Sequence, residues 1–248
     1  MSAVATAWRF TPLLLIAILW EAATRAGLIS EFALPPLSGV AAAFVELTGE
    51  DLWQQTARSL YRGGTALAAA IVVGVLAGIL MAWYRPVRIL VNPIMRCLYP
   101  MPKSALIPLT IMWIGLGDAS KITLIFLGCL LPIVLSAYNA ARGVDEVLVW
   151  TARGMGAKER EVLWEVVVPS ALPEILTGIR TALAFAFILM VSAELIISNN
   201  GIGYLIDLLG ENGHYTGMFA GVITISVIGF AADRAYVALT RRVLAWRE

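Results

Sequence analysis

Two ionisable residues lie in or against runs that are otherwise apolar: Glu194 within 181–198 and Lys103 at the edge of 104–117. A charge at membrane depth is expensive, so such a residue faces a bundle interior or water and takes a partner there. Glu194 lies roughly 20 Å along a helix entered near Arg180, in the outer half of a bilayer. It reads either as a carboxylate beside a solute path or as a packing group bonded to neighbouring backbone or hydroxyl. Lys103 lies roughly 20 Å from the outer end of its helix, in the inner third. It either attracts an anion leaving toward the cytoplasm or snorkels to the interface. No other set of residues builds a reactive centre. His214 is the one histidine, and Cys97 and Cys129 stand far apart in apolar segments. Neither a metal set nor a disulfide is expected from them. Ser, His and Asp or Glu do not converge at membrane depth, and no Gly-x-x-x-x-Gly-Lys-Ser/Thr phosphate loop occurs. The chain is therefore expected to be no enzyme and to bind no cofactor itself.

The elements that must position these residues are membrane helices. Hydrophobic residues make up 60% of the chain and charged residues 14%, where a soluble domain carries about 25% charged. The net charge of +1 points to no nucleic acid. Apolar segments at 10–28, 63–83, 104–117, 122–138, 181–198 and 217–232 read as six spans of one membrane domain covering 1–248. The clearest, 63–83, carries no charge and is long enough to cross about 30 Å of hydrocarbon. The first is interrupted by Glu21 and Arg25. Its alternative is a cleaved signal peptide, with Arg9 as charged region and Ala22-Ala23 near the cut; an uncleaved helix is the expectation. Pro86, Pro93, Pro100, Pro102 and Pro108 precede and enter the third span, which must start late or kink. The pairs Gly74/Gly78 and Gly217/Gly221 permit close helix contact, within one subunit or between two copies.

Basic residues set the orientation. With the amino terminus inside, the inner segments hold Arg9, then Arg85, Arg88 and Arg96, then Arg142, Arg153, Lys158 and Arg160, and finally Arg234, Arg241, Arg242 and Arg247. The outer segments hold only Lys121 between spans three and four. Arg58 and Arg62, at the outer end of span two, break the pattern. The asymmetry places both termini and segment 139–178 in the cytoplasm.

Segment 139–178 is long and polar between two spans. Val147, Leu148, Met155, Val162, Leu163 and Val166 recur at near-helical spacing, predicting short amphipathic helices with Arg153, Lys158, Glu159, Arg160 and Glu161 outward. Gly154 and Gly156 permit a tight turn or a close approach by a partner. Pro169 and Pro173 are expected to end one helix and set the entry of the next.

The spacing of Ala152, Gly156, Val166, Val168 and Pro169 resembles the cytoplasmic loop of binding-protein-dependent ABC-importer permeases. Trp150 stands where that family favours Glu, and Thr151 where it favours Ala. Tyr99-Pro100-Met101-Pro102-Lys103, Trp113-Ile114-Gly115-Leu116-Gly117-Asp118, Val191-Ser192-Ala193-Glu194 and Gly201-Ile202-Gly203-Tyr204 are similar to the nitrate, sulfonate, taurine and bicarbonate subgroup. The resemblance implies an all-α membrane protein with about six transmembrane helices on the type I ABC-importer permease core, working as a dimer in the bacterial inner membrane. It implies that 139–178 carries a coupling helix, with Thr151, Ala152, Arg153, Gly154, Gly156, Ala157, Glu159, Val166 and Pro169 in the contact with an ATPase. The implied partners are a second copy, two ATPase subunits that bind ATP and Mg, an extracytoplasmic solute-binding protein and the lipid bilayer. The implied solute is small and anionic, although relatives also carry thiamine-precursor pyrimidines and aromatic compounds. The rival is a self-sufficient secondary carrier or channel, which would more often show inverted repeats or several intramembrane charges.

Overall fold

A computed structural model describes residues 3–49, 51–196 and 198–247, with the side chains of 3–10 and 247 outside the description. Arg9 and Arg247, used for orientation above, therefore lie outside the described side chains. The chain runs α1 (Ala3–Arg25), α2 (Leu37–Thr48), α3 (Leu52–Trp83), α4 (Arg85–Leu98), a 3-10 turn (Lys103–Leu106), α5 (Ile107–Ile114) and α6 (Asp118–Arg142). It continues through α7 (Glu146–Gly154), a single turn α8 (Glu159–Glu161), a π turn (Val162–Val167), α9 (Val168–Ile196), α10 (Ile202–Glu211) and α11 (Tyr215–Val243). Among the described residues, four helical stretches are long and apolar enough to cross a membrane: Leu52–Trp83, Asp118–Arg142, Glu159–Ile196 and Tyr215–Val243.

The centre is a three-helix layer in which α6 packs parallel to α3 and antiparallel to α9. Small residues set the spacing. A Cβ at Gly78 would lie 2.6 Å from Ala137 Cβ and from the Val134 carbonyl, and one at Gly74 2.8 Å from Ile133. Both glycines thus serve contact inside the subunit, and Gly217 and Gly221 do the same against Leu209 and Ile206. The Cys129 thiol donates to the Ala182 carbonyl at 3.3 Å, joining α6 to α9. Close by on α9, Arg180 donates to both Asp233 oxygens at 2.6 and 2.8 Å, and Tyr236 donates to the Leu176 carbonyl at 2.7 Å. These bonds fix α11 to α9.

The expected third span is broken, as its prolines require. Segment 104–117 becomes the last part of the 3-10 turn and the eight-residue α5, which alone rises only about 12 Å. The chain climbs beside α6 in order: Tyr99 shares a pocket with Leu131 and Leu135, a Cβ at Gly128 would touch Lys103, and Ile107 packs with Leu124 and Ala193. Thus α4 leads into the 3-10 turn, and α5 continues beside α6 toward its Asp118 end. Pro169 does not end a helix, contrary to expectation: Glu159–Ile196 is continuous. The π turn just before Pro169 widens the helix where proline has no amide to donate and crowds the preceding turn.

At the periphery, Glu21 accepts from Arg25 at 2.6 Å and from the Ser38 hydroxyl at 2.8 Å. The charges that interrupt the first apolar run thereby tie α1 to α2, while Leu13, Leu14, Ile18 and Leu19 remain exposed, as lipid-facing residues are.

Candidate functional site

The polar segment folds into a stiff turn. Asp145 caps α7 by accepting from the Val147 amide at 2.9 Å. At the other end the Gly156 amide donates to the Arg153 carbonyl at 3.0 Å and the Ala157 amide to the Ala152 carbonyl at 3.1 Å. This pair of bonds is a Schellman ending, whose left-handed residue is normally glycine, and Gly156 has φ +89°. Nothing lies within 4 Å of where its Cβ would stand, so the demand for glycine within this chain is conformational rather than steric. The next turn is closed by the Lys158 amide donating to Glu161 Oε2 at 2.7 Å. Arg153 donates to both Glu159 oxygens, at 2.9 and 3.0 Å, and its guanidinium lies 5.8 Å from the Trp83 ring centroid at the end of α3.

The amphipathic expectation holds for half of its residues. Val162, Leu163 and Val167 are buried, and Val149, Ala152 and Ala157 pack against the core. Val147, Leu148, Trp150 and Met155 are exposed instead, Met155 to 83%. These apolar residues are thus exposed among Thr151, Arg153, Gly154, Gly156 and Glu159, which are exposed too, while Val166 and Pro169 are half-buried.

A second cluster lies near the start of α3. Arg62 and Glu194 are both 1% exposed. Glu194 Oε1 accepts from Arg62 at 2.5 Å, while Oε2 accepts from the Ser59 hydroxyl at 2.6 Å and the Gly203 amide at 3.1 Å. Ser59 in turn accepts from the Ile202 amide at 2.8 Å. The free amides at the start of α10 are thus satisfied by a hydroxyl and a carboxylate, and the negative charge suits a helix N-terminus. Arg62 also donates to Asp118 at 2.8 Å, to the Asn200 carbonyl at 3.0 Å and to the Asn200 side chain. Gly201, at φ +109°, has no room for a Cβ beside the Glu194 carboxylate. The cluster ties α3, α6, α9 and α10 together at one end of the bundle, and Glu194 lines none of the described pockets.

The sequence displayed both halves of this pair without joining them. Arg62 is the basic residue that breaks the orientation pattern, and Glu194 the buried acid 132 positions away.

Lys103 does not stand free. Its ammonium donates to the carbonyls of Leu98, Met101 and Tyr99 at 2.8, 2.7 and 3.1 Å. Three protons meet three carbonyls where α4 ends, that of Leu98 also accepting from the Met101 amide at 3.3 Å. Its stem borders a cavity of about 690 Å³ shared with Tyr99, Ser104, Phe185, Ile188 and Ser192. Lys121 is buried and donates to the Leu116 carbonyl at 3.3 Å. His214 is exposed. Among the described residues no three His, Cys, Asp or Glu gather as metal ligands.

The described residues thus form a helical bundle with four stretches able to cross a membrane, the build of a multi-pass membrane protein. The chain belongs to the family described as binding-protein-dependent transport system inner membrane component, which matches residues 70–245. It is 37% identical to the taurine transport system permease protein TauC of Escherichia coli over 94% of this chain and 86% of that one. It is 34% identical to the putative aliphatic sulfonates transport permease protein SsuC of Bacillus subtilis, over 96% and 86%. In fold it is similar to a chain of the inward-facing MetNI methionine ABC transporter, with TM-score 0.66, 20% identity, and 77% of this chain and 95% of that one covered. The protein is thus a multi-pass inner-membrane permease of the ABC-importer class with the type I fold.

Proposed function

We propose that two copies of this chain line the path of an ATP-driven importer for a small anionic solute of the sulfonate or taurine type. The relationship to taurine and sulfonate permeases over nearly the whole chain carries this reading. Solute arrives on an extracytoplasmic binding protein, and ATP with Mg is bound and hydrolysed by two separate ATPase subunits. Each ATPase docks on the exposed face of segment 139–178. There Val147, Trp150 and Met155 supply apolar contact, while Thr151, Arg153, Gly154, Gly156 and Glu159 shape the rim. Ala152 and Ala157, which pack against the buried core, transmit its movement inward, and Val166 and Pro169 pass it along the continuous helix Glu159–Ile196. Both termini and this segment are cytoplasmic, in accord with the basic residues of the inner segments.

The test is reconstitution. The chain purified with its ATPase and binding protein in liposomes should take up an alkanesulfonate only with ATP and binding protein present. Uptake by the chain alone, driven by an ion gradient, would establish the secondary-carrier reading instead.

A further inference from the structure

We propose that the cleft between α6, α9 and the 3-10 turn is a subsite for the solute within the permease, built for an organic sulfonate with a hydrocarbon tail, with Ser104 and Ser192 as its hydrogen-bond donors. The inference rests on the importer reading above and adds to it the residues that sort one sulfonate from another.

Two helix stripes form the walls. Gly128, Leu131, Pro132 and Leu135 of α6 and Phe185, Ile188, Leu189 and Ser192 of α9 all line the cavity of about 690 Å³, and each set has the spacing of one helix face. Small-molecule sites have volumes of about 300–1,000 Å³ and mostly apolar walls with a few polar groups. Gly128 keeps the floor deep, since a Cβ there would strike Leu189 and reach the Lys103 stem. The α6 stripe falls in the middle of Asp118–Arg142, a stretch able to cross a membrane.

The hydroxyls single this cleft out. In the stretches able to cross a membrane, Thr65, Thr123, Thr177, Thr181, Thr224 and Ser226 each donate to the carbonyl four residues earlier, a common way for a helical hydroxyl to be satisfied. Ser192 lies on the same helix as Thr177 and Thr181 and makes no such bond, and Ser104 makes none either, among the described residues. Both line the cleft. Each hydroxyl has one proton to donate, so the cleft holds two that the fold does not use.

Charge selects the partner. Lys103 is the one charged side chain among the residues lining the cleft, and its three protons are spent on the Leu98, Tyr99 and Met101 carbonyls. Its charge stays in the wall while its hydrogen bonds are taken, so it favours an anion without clamping it. Two of the other described cavities hold an acid instead, Glu46 or Glu31. A sulfonate oxygen is a charged acceptor, which makes the stronger kind of hydrogen bond with a hydroxyl. Met101, Leu131, Leu135, Phe185 and Ile188 leave the rest of the wall apolar, suited to a hydrocarbon tail. An ammonium on that tail, as in taurine, would meet the like charge of Lys103 and no carboxylate to offset it.

The test uses the full complex with its ATPase in lipid nanodiscs, where a water-soluble reagent reaches both faces. In a background of Cys97→Ala and Cys129→Ala, Ser192→Cys is compared with Glu211→Cys, an exposed position outside the cleft. A charged methanethiosulfonate reagent should modify both, and pentanesulfonate should slow the reaction at 192 alone. Each methylene group buried is worth up to about fourfold in affinity. The concentration of pentanesulfonate that halves the rate should therefore lie about tenfold below that of propanesulfonate. Taurine, of the same size as propanesulfonate with an ammonium for the methyl, should need more still. Protection that ignores chain length, taurine protecting as well as propanesulfonate, equal protection at 211, or a position 192 sealed from the reagent as by lipid would each overturn the proposal. In parallel, Ser104→Ala combined with Ser192→Ala should lower pentanesulfonate uptake per ATP hydrolysed by about tenfold or more, the lower end for losing hydrogen bonds to a charged group. A merely structural loss would lower uptake and hydrolysis together, and an unchanged ratio would also overturn the subsite. A parent complex that takes up no sulfonate with ATP and binding protein present would remove the importer reading itself, whereas parental uptake with position 192 unprotected would remove only the subsite.

Discussion

Replacing Glu194 with alanine should cost the folded complex far more than any surface change. The substitution leaves the Arg62 guanidinium, 1% exposed, without the carboxylate 2.5 Å away. It also strips the Gly203 amide and the Ser59 hydroxyl of their acceptor. Breaking a buried pair from one side costs about 3–5 kcal/mol. Asp118 and Asn200 still hold Arg62, which places the expected value at the lower end, near 3 kcal/mol. The change Glu194→Gln keeps an acceptor for Ser59 and Gly203 and removes only the charge. Combined with Arg62→Met it removes both charges together, so the double variant should be more stable than either Glu194→Ala or Arg62→Met alone. The readout is the half-life at elevated temperature of the solubilised complex, followed by size exclusion, beside uptake by each variant. A Glu194→Ala complex that survives within a factor of about two of the parent, a difference worth only about 0.4 kcal/mol, would refute the buried-pair argument. Changed solute preference in Glu194→Gln at parental stability would place the carboxylate on the path instead.

Gly156→Leu should insert and fold while losing most ATPase association and uptake. Its backbone penalty is about 1–2 kcal/mol for a left-handed non-glycine residue, and copurification of the ATPase measures it. Gly78→Val should collapse the yield of folded protein because its Cβ would strike α6 backbone, whereas Gly64→Val, where nothing lies within 4 Å, should keep it. Cysteines at Ala157 and Glu211, in a background lacking Cys97 and Cys129, should label from opposite sides of the membrane; labelling of position 157 from outside intact cells would reverse the proposed orientation.

The sequence by itself determined that this is a helical membrane protein, since the length and charge-poverty of its apolar runs leave few other folds open. It also marked the turn at Gly156, because a left-handed helix ending has a local signature in one residue type. The break in the third span was legible for the same reason, in five prolines. What lay beyond it were facts that depend on distant partners. Tertiary packing decided that Arg62 and Glu194 form one cluster, that Lys103 closes the end of α4, and that Pro169 rides on a π turn within a continuous helix. It also decided which apolar residues of α7 stay outside. Periodicity says that one face of a helix is apolar, but only the neighbouring helices determine whether that face meets a core or is left for another protein. A buried charge likewise announces its cost in the sequence, while the group that offsets it is chosen by the fold.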